Sequence, residues 1–551
     1  MRRLGIILLF LCMSAPLVAQ SSLVPLRHPV YGWLLRQRVD GHLQGYSHET
    51  RPHDRARILA HLRTLEAHAP LSRTDRQILD EYLAEFDFER LRNRHLDGIF
   101  LTTDVLGSLG RVFSNDREPA LLAFSSPDGD VDGAGFVHFG FSQIAYGAPD
   151  GPFSAFTAQY GGSGFLYSRS AGVGLMLEAE EIGIFGDKPV LERDPQWAHS
   201  WEYADPDNPA ESAKSVRYEG VLSWRSRFMD LDFGHGGLML GPSVNEPLLI
   251  SDDAPDFNHV RLRLGSSRVY ITAVHGSLFA RSAFSDRVYE GDTIRVRTAP
   301  QRWVATHRLT LVPHPSLEFS LFETVGYANR GLDPNYLNPL VPYLFVEMDQ
   351  GDRDNNLAGM DLVWRPRAGM EWMMSLIIDD LSDLGSLVTS DSTKIGFDMG
   401  WRQSLPGNLL LGLGYTRLDA YLFSHWMRLN AIEHRGQPLG PSIGPNAETY
   451  TVRLDGELPR RTRFHLRYTY GKKGLNRTPD AGGDIRDQRI IIGIPLYSDA
   501  DVQTWHGFEV DVRTQPLRGW ELGAQWKARR MIEGDRLGDE DWFRLMLVFG
   551  F

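Results

Sequence analysis

The chain has 551 residues, of which 42% are hydrophobic, 23% charged and 11% aromatic, a balance that excludes a disordered polypeptide. Its formal net charge is -12, from 58 basic and 70 acidic residues, which argues against a nucleic-acid partner held by phosphate neutralisation. A single water-soluble core stops growing at about 250–300 residues, so either several domains are present or the architecture escapes that limit.

Residues 1–20 read as a secretory signal peptide. Arg2 and Arg3 form a positive start, Leu4 to Met13 an apolar stretch and Ala15 to Ala19 a small-residue exit. The only cysteine, Cys12, lies inside it, so the exported chain would carry neither a disulfide nor a thiolate nucleophile. Residues 21–96 form a helical module on the evidence of spacing. Val30, Trp33, Leu34 and Leu35 make one run, Ile58, Leu59, Leu62 and Leu65 a second, and Ile78, Leu79, Tyr82, Leu83 and Phe86 a third. Ser72 with Asp75 three residues on predicts an N-cap before the third. Helices this short bury little alone, so the module should dock on something larger. His28, His42, His48, His53, His61 and His68 within it lack metal-ligand spacing and read as solvated helix faces. Residues 97–132 form a linker or plug segment.

From residue 133 the apolar period changes from 3.6 to 2. In 542–551, Phe543, Leu545, Leu547, Phe549 and Phe551 share one face. In 520–529, Trp520, Leu522, Ala524, Trp526 and Ala528 oppose Glu521, Gly523, Gln525, Lys527 and Arg529. Such segments are about 9–11 residues long and aromatic near their ends, as strands crossing a bilayer at a tilt require. In a bilayer, backbone groups find no water, so only a closed sheet is allowed, and closure lets one domain span 133–551. Eighteen strands are predicted, starting at 133–147 and ending at 542–551. Short turns such as 405–408 alternate with long connectors such as 235–256, 328–355, 418–448 and 471–505. By the rule for bacterial barrels the turns face the periplasm and the long loops the exterior. The helical module is then periplasmic, and the aromatic last strand ending at Phe551 would engage the barrel assembly machinery.

By parity, Arg365, Arg402, Arg453, Arg463, Arg467, Arg513, Lys527, Arg529 and Arg544 point inward. Asp361, Asp398, Asp455, Glu457, Glu509, Asp511 and Glu521 do the same. With 52 Arg against 6 Lys in the chain, a crowded lumen braced by ion pairs is expected over a wide pore. Asp128-Gly129-Asp130-Val131-Asp132-Gly133 opens like a calcium loop, but Phe139 stands where a bidentate Glu belongs, so a polar turn is the simpler reading. No nucleophile elbow, phosphate-cradling loop or carboxylate pair of useful spacing appears, so no catalytic site and no cofactor are assigned.

Several stretches resemble the Wzi capsule-assembly family. They are Val24-Pro25-Leu26 with His28-Pro29-Val30-Tyr31, Arg51-Pro52 and Arg55; then Gly241-Pro242, Leu248–Ser251 and Ala254-Pro255-Asp256-Phe257. The third is His307-Arg308-Leu309, Glu323, Tyr327, Arg330-Gly331, Tyr336-Leu337-Asn338-Pro339, Glu347 and Asp354-Asn355-Asn356. Where the family's central signature reads Gly-Pro-Gly, this chain has Gly241-Pro242-Ser243. The resemblance implies an 18-stranded outer-membrane β-barrel over a small periplasmic helical bundle. It implies a non-enzymatic lectin that binds capsular polysaccharide and helps attach it to the cell surface. A porin or substrate-selective channel is the alternative. The residues expected to meet polysaccharide are Arg330, Tyr336, Asn338, Glu347, Asp354, Asn355 and Asn356, in a loop at the extracellular mouth.

Overall fold

In the computed structural model, residues 21–87, 120–187, 189–190, 201–203, 212–279, 283–289, 292–298, 301–351, 353–379, 394–477, 482–485, 487, 496–497, 500–533 and 538–550 are described. The export segment 1–20, residues 97–119 of the linker and Phe551 lie outside them.

Eighteen antiparallel strands close into a barrel. In chain order they are β1 (Val131–Ala148), β2 (Gly151–Ser168), β3 (Val173–Gly186), β4 (Ser212–Arg225), β5 (Met229–Gly236) and β6 (Phe257–Gly265). Then come β7 (Val269–Phe279), β8 (Gln301–His314), β9 (Leu317–Ala328), β10 (Asn355–Arg367), β11 (Met370–Asp379) and β12 (Lys394–Leu405). The last six are β13 (Leu409–Leu418), β14 (Ala447–Leu458), β15 (Thr462–Asn476), β16 (Ala500–Leu517), β17 (Trp520–Glu533) and β18 (Glu540–Gly550). Each pairs with its neighbour in sequence, and β18 returns to β1 with Leu547 opposite Phe141. All eighteen expected segments form strands, with ends shifted by a few residues. The predicted parity also holds: Leu522, Phe543, Leu545, Ile395 and Met399 are exposed on the outer wall, while Asp361, Asp398, Arg402 and Arg544 are buried inside. Closure removes sheet edges, and the apolar outer wall suits a lipid solvent. No helix among the described residues is long and apolar enough to cross a membrane.

At the end of the barrel with short turns sit three helices, α1 (Val30–Val39), α2 (Arg55–His68) and α3 (Arg73–Phe86). Asp54 caps α2 by accepting from the Arg57 amide, and Ser72 caps α3 by accepting from Asp75. Their apolar faces form one core around Trp33, Leu62, Tyr82 and Phe86, to which Leu410 of the barrel contributes. Docking is polar as well. Tyr82 donates to Glu457 at 2.6 Å, Glu81 accepts from the Arg460 amide at 2.7 Å, and the Gly369 amide donates to Val39 at 2.7 Å.

In the acidic segment, 128–130 form a turn and Asp132 already lies on β1, so it is not an open ligand loop. It joins Leu122–Ser125 to β1. Asp128 accepts from the Asp130 amide, Asp130 from Ser168 and the Ser170 amide, and Asp132 from Arg169.

Candidate functional site: the filled lumen and the loop-end surface

Two long loops fold into the lumen from the end opposite the helices. In 237–256, Gly241 adopts φ +114, a conformation costly for residues with a Cβ, and redirects the chain. Met239 and Leu240 then pair with Thr50 and Arg51 of the helical module. Val244 enters a dent in the wall where Gly400, Gly412 and Gly414 face inward. A Cβ on Gly412 would lie 2.8 Å from the Val244 side chain, so glycine is what leaves the space. Ser243, which replaces the expected glycine, donates to Asp398 at 3.2 Å, and Arg402 donates to its carbonyl. In 419–446, Leu422, Phe423, Ile432 and Leu439 meet Leu240, Leu248, Leu249 and Ile250 of the first loop. The wall answers with inward Val274, Val304, Phe322, Leu357 and Ile377. Apolar residues thus fill part of a lumen whose alternation predicts polar contents.

Below this core, ion pairs brace β4 to β12. Arg38, on α1, is bidentate to Glu49 at 2.8 and 2.7 Å and also reaches Glu371 at 2.7 Å. Arg402 meets the other Glu371 oxygen at 2.8 Å. Arg308 pairs with Asp361 at 2.9 Å, and Arg225 joins Asp54 to Asp232. Burial pushes the Glu49 carboxyl up, but Arg38 above all outweighs it and holds the group down at about 2.

Across the lumen, on β14 to β17, the pairs are looser. Arg463 meets Glu521 at 3.0 Å, Lys527 meets Glu509 at 3.1 Å, and Arg453 and His465 share Asp455. They border a cavity of about 670 Å³ between this wall, Trp33 and Arg36 of α1, and Asn245 and Pro247 of the inserted loop. The expected braced lumen therefore describes one side and not the other.

The seven expected ligand residues are found in loop 329–354 and at the start of β10. The structure brings Arg330, Tyr336 and Asp354 together. Arg330 donates to Asp354 at 2.8 Å, and the buried Tyr336 hydroxyl donates to the same carboxylate at 2.8 Å. Burial and that carboxylate push the Tyr336 hydroxyl far up, so it stays a donor. Asn355 faces inward and donates to the Phe423 carbonyl, while Asn338 caps its own turn at the Leu340 amide. Glu347 is buried, and Asn356 starts the outer face of β10. The group does not converge on one open surface. Nor does the loop lie over the mouth. Its helix α4 (Tyr343–Asp349) packs on the outer wall, against Trp303, Ala305, Val325 and Tyr327.

Sequence reasoning missed Trp426. It stands exposed on loop 419–446, beside His425 and close to the rim where Asn430 donates to the Arg353 carbonyl. Its exposure depends on the path of the loop, so the sequence showed no more than a Trp in a long connector.

A family model described as capsule assembly protein Wzi matches residues 192–530. Among solved structures, Wzi of Escherichia coli aligns with a TM-score of 0.56 at 12% identity, covering 96% of this chain and 99% of its own. That protein is described as an outer membrane protein involved in group 1 capsule assembly and as a carbohydrate binding beta-barrel. OprD of Pseudomonas aeruginosa (TM-score 0.40, 11% identity, 76% of this chain and 95% of its own) and OccAB1 of Acinetobacter baumannii (0.43, 12%, 76% and 96%) align more loosely. No curated protein matches. With the family match covering more than half of the chain, and the closed barrel agreeing with it, this protein belongs to the Wzi capsule assembly family.

Proposed function

We propose that the protein is exported by residues 1–20, sits in the bacterial outer membrane with its helices in the periplasm and its long loops outside, and binds capsular polysaccharide to hold it at the cell surface. The observation that carries this reading is the interlocking of loops 237–256 and 419–446, whose apolar residues pack into the lumen at the end a channel would leave open. In this reading it is a binding protein and not an enzyme, and the aromatic segment 542–551 addresses it to the barrel assembly machinery. Trp426 offers a flat apolar face of the kind on which sugar rings stack. Arg330, Tyr336, Asp354 and their neighbours serve it from a distance, by fixing the loop that borders the rim.

The test uses a deletion strain complemented with variants, reading polysaccharide kept on cells against polysaccharide released to the medium. Trp426→Ala should release polysaccharide while the folded, heat-modifiable barrel stays at its normal level. Full retention with that variant removes Trp426 from the site. Retention by the deletion strain itself would overturn the attachment role.

A second reading, a channel for small polar solutes, draws support from the cavity of about 670 Å³ along β14 to β17. Steady conductance of the unaltered protein in a planar bilayer would favour it.

A further inference from the structure

The outer wall carries an anomaly. On β8 and β9 the outward residues run Trp303, Ala305, His307, Leu309 and Leu321, Glu323, Val325, Tyr327, with His307 opposite Glu323. Leu309 and Leu321 are exposed as lipid-facing residues should be. The His307–Glu323 pair, bonded at 3.0 Å, therefore stands on the membrane side of the barrel. Its neighbours on the same rung are Ala273 on β7 and Ala358 on β10, followed by Ile378 on β11 and Ile395 on β12. Polar groups set among apolar ones are costly to leave against acyl chains.

Loop 329–354 covers them. The Tyr343 amide donates to Glu323 at 2.6 Å, and the Tyr343 ring stacks on His307 with centroids 4.1 Å apart. Tyr327 takes the Asp333 amide at 3.0 Å and meets His275 at 2.8 Å, fixing the other end. The covering segment then shows the outside a second apolar face. Leu337, Leu340, Phe345 and Met348 are 49%, 77%, 60% and 60% exposed, although Tyr343 and Glu347 on the same helix are buried. Phe345 and Met348 are three residues apart and share the outer side of α4.

We propose that α4 and the turn before it form an in-plane membrane anchor, with Leu340, Phe345 and Met348 embedded among the acyl chains of the outer leaflet. The occupant follows from continuity, because this face extends the lipid-facing belt of Leu309 and Leu321 on the strands it covers. The segment keeps polar groups away from lipid and restores the belt they interrupt.

The experiment places an environment-sensitive dye on Phe345→Cys or Met348→Cys, made in a Cys12→Ala background because Cys12 is the only cysteine. The purified barrels are inserted into phosphatidylethanolamine–phosphatidylglycerol vesicles, and each must keep its heat-modifiable mobility. Leu321→Cys is the lipid reference. Asp150→Cys, in the turn joining the 18-residue strands β1 and β2, is the aqueous one. At both test sites, doxyl-labelled lipid should remove as much emission as at Leu321→Cys, and iodide as little. Quenching by iodide to the extent seen at Asp150→Cys, at both sites, would overturn the proposal and assign the patch to a water-borne partner.

Discussion

On β11 and β12, Glu371 bridges Arg38 and Arg402, with no solvent at Glu371 or Arg38 and little at Arg402, whereas on β15 to β17 Arg463, Glu521, Glu509 and Lys527 remain partly wet. Both walls take their inward residues from the same alphabet of Arg and carboxylate. They differ in what lies opposite. The helical module and loop 237–256 press on the first wall, so its charges are locked by one another. The second borders the cavity, where water screens the same kinds of pair. A buried ion pair is dangerous to break, since the partner is left charged and dry, while an exposed one is nearly neutral to lose. A charge pattern along a strand therefore says which side faces the lumen, and only what occupies the lumen says what each charge is worth.

The contrast can be broken outright by emptying the lumen. Deleting residues 242–247 removes Val244 and Ser243 from the wall and should raise conductance in a planar bilayer many-fold over the unaltered barrel. Unchanged conductance would mean that the inserted loop is not what narrows the lumen. Less drastically, Glu371→Ala leaves Arg402 without a carboxylate and Arg38 with Glu49 alone, and should cost about 3–5 kcal/mol in the midpoint of urea unfolding followed by heat-modifiable mobility.

Acid should act on the braced side first. The histidines expected on solvated helix faces are not all there: His48 and His53 are buried outside the helices. Burial, then Arg51, pushes His48 well below its usual range, and burial with Arg57 brings His61 down to about 4. A lowered folded pKa means that the unfolded chain takes up the proton first. The His61 contribution is complete above about 6.5 and disappears as pH falls towards 4; that of Glu49 disappears between 4.5 and about 2. Proteolysis of the helical module should accelerate from pH 6.5 downward, with a smaller change in His61→Gln. Equal acceleration in that variant would discard the histidine as its cause. The smallest effect belongs to the wet wall: Arg463→Gln should shift the unfolding midpoint by less than about 1 kcal/mol. A loss matching that of Glu371→Ala would erase the contrast.

The eighteen strands, the inward charges of β12 to β18 and the cap of α3 are legible because each depends on near neighbours in the chain. A strand with lipid on one side must alternate, and Ser72 caps α3 through a residue three positions away. The paths of the long loops are not local. Connectors of comparable length go inward at 237–256 and over the outer wall at 329–354, and length alone is silent between them. Breaks in the alternation carry the clue: apolar Val304, Phe322, Leu357 and Ile377 at inward positions, and His307 and Glu323 at outward ones. Each break marks a place where the strand meets protein instead of water or lipid. The sequence by itself thus determined the closed barrel, its lipid-facing wall and the docked helices. Only the tertiary structure decided which loop fills the lumen and which covers the wall, because that depends on groups far apart in the chain finding their partners.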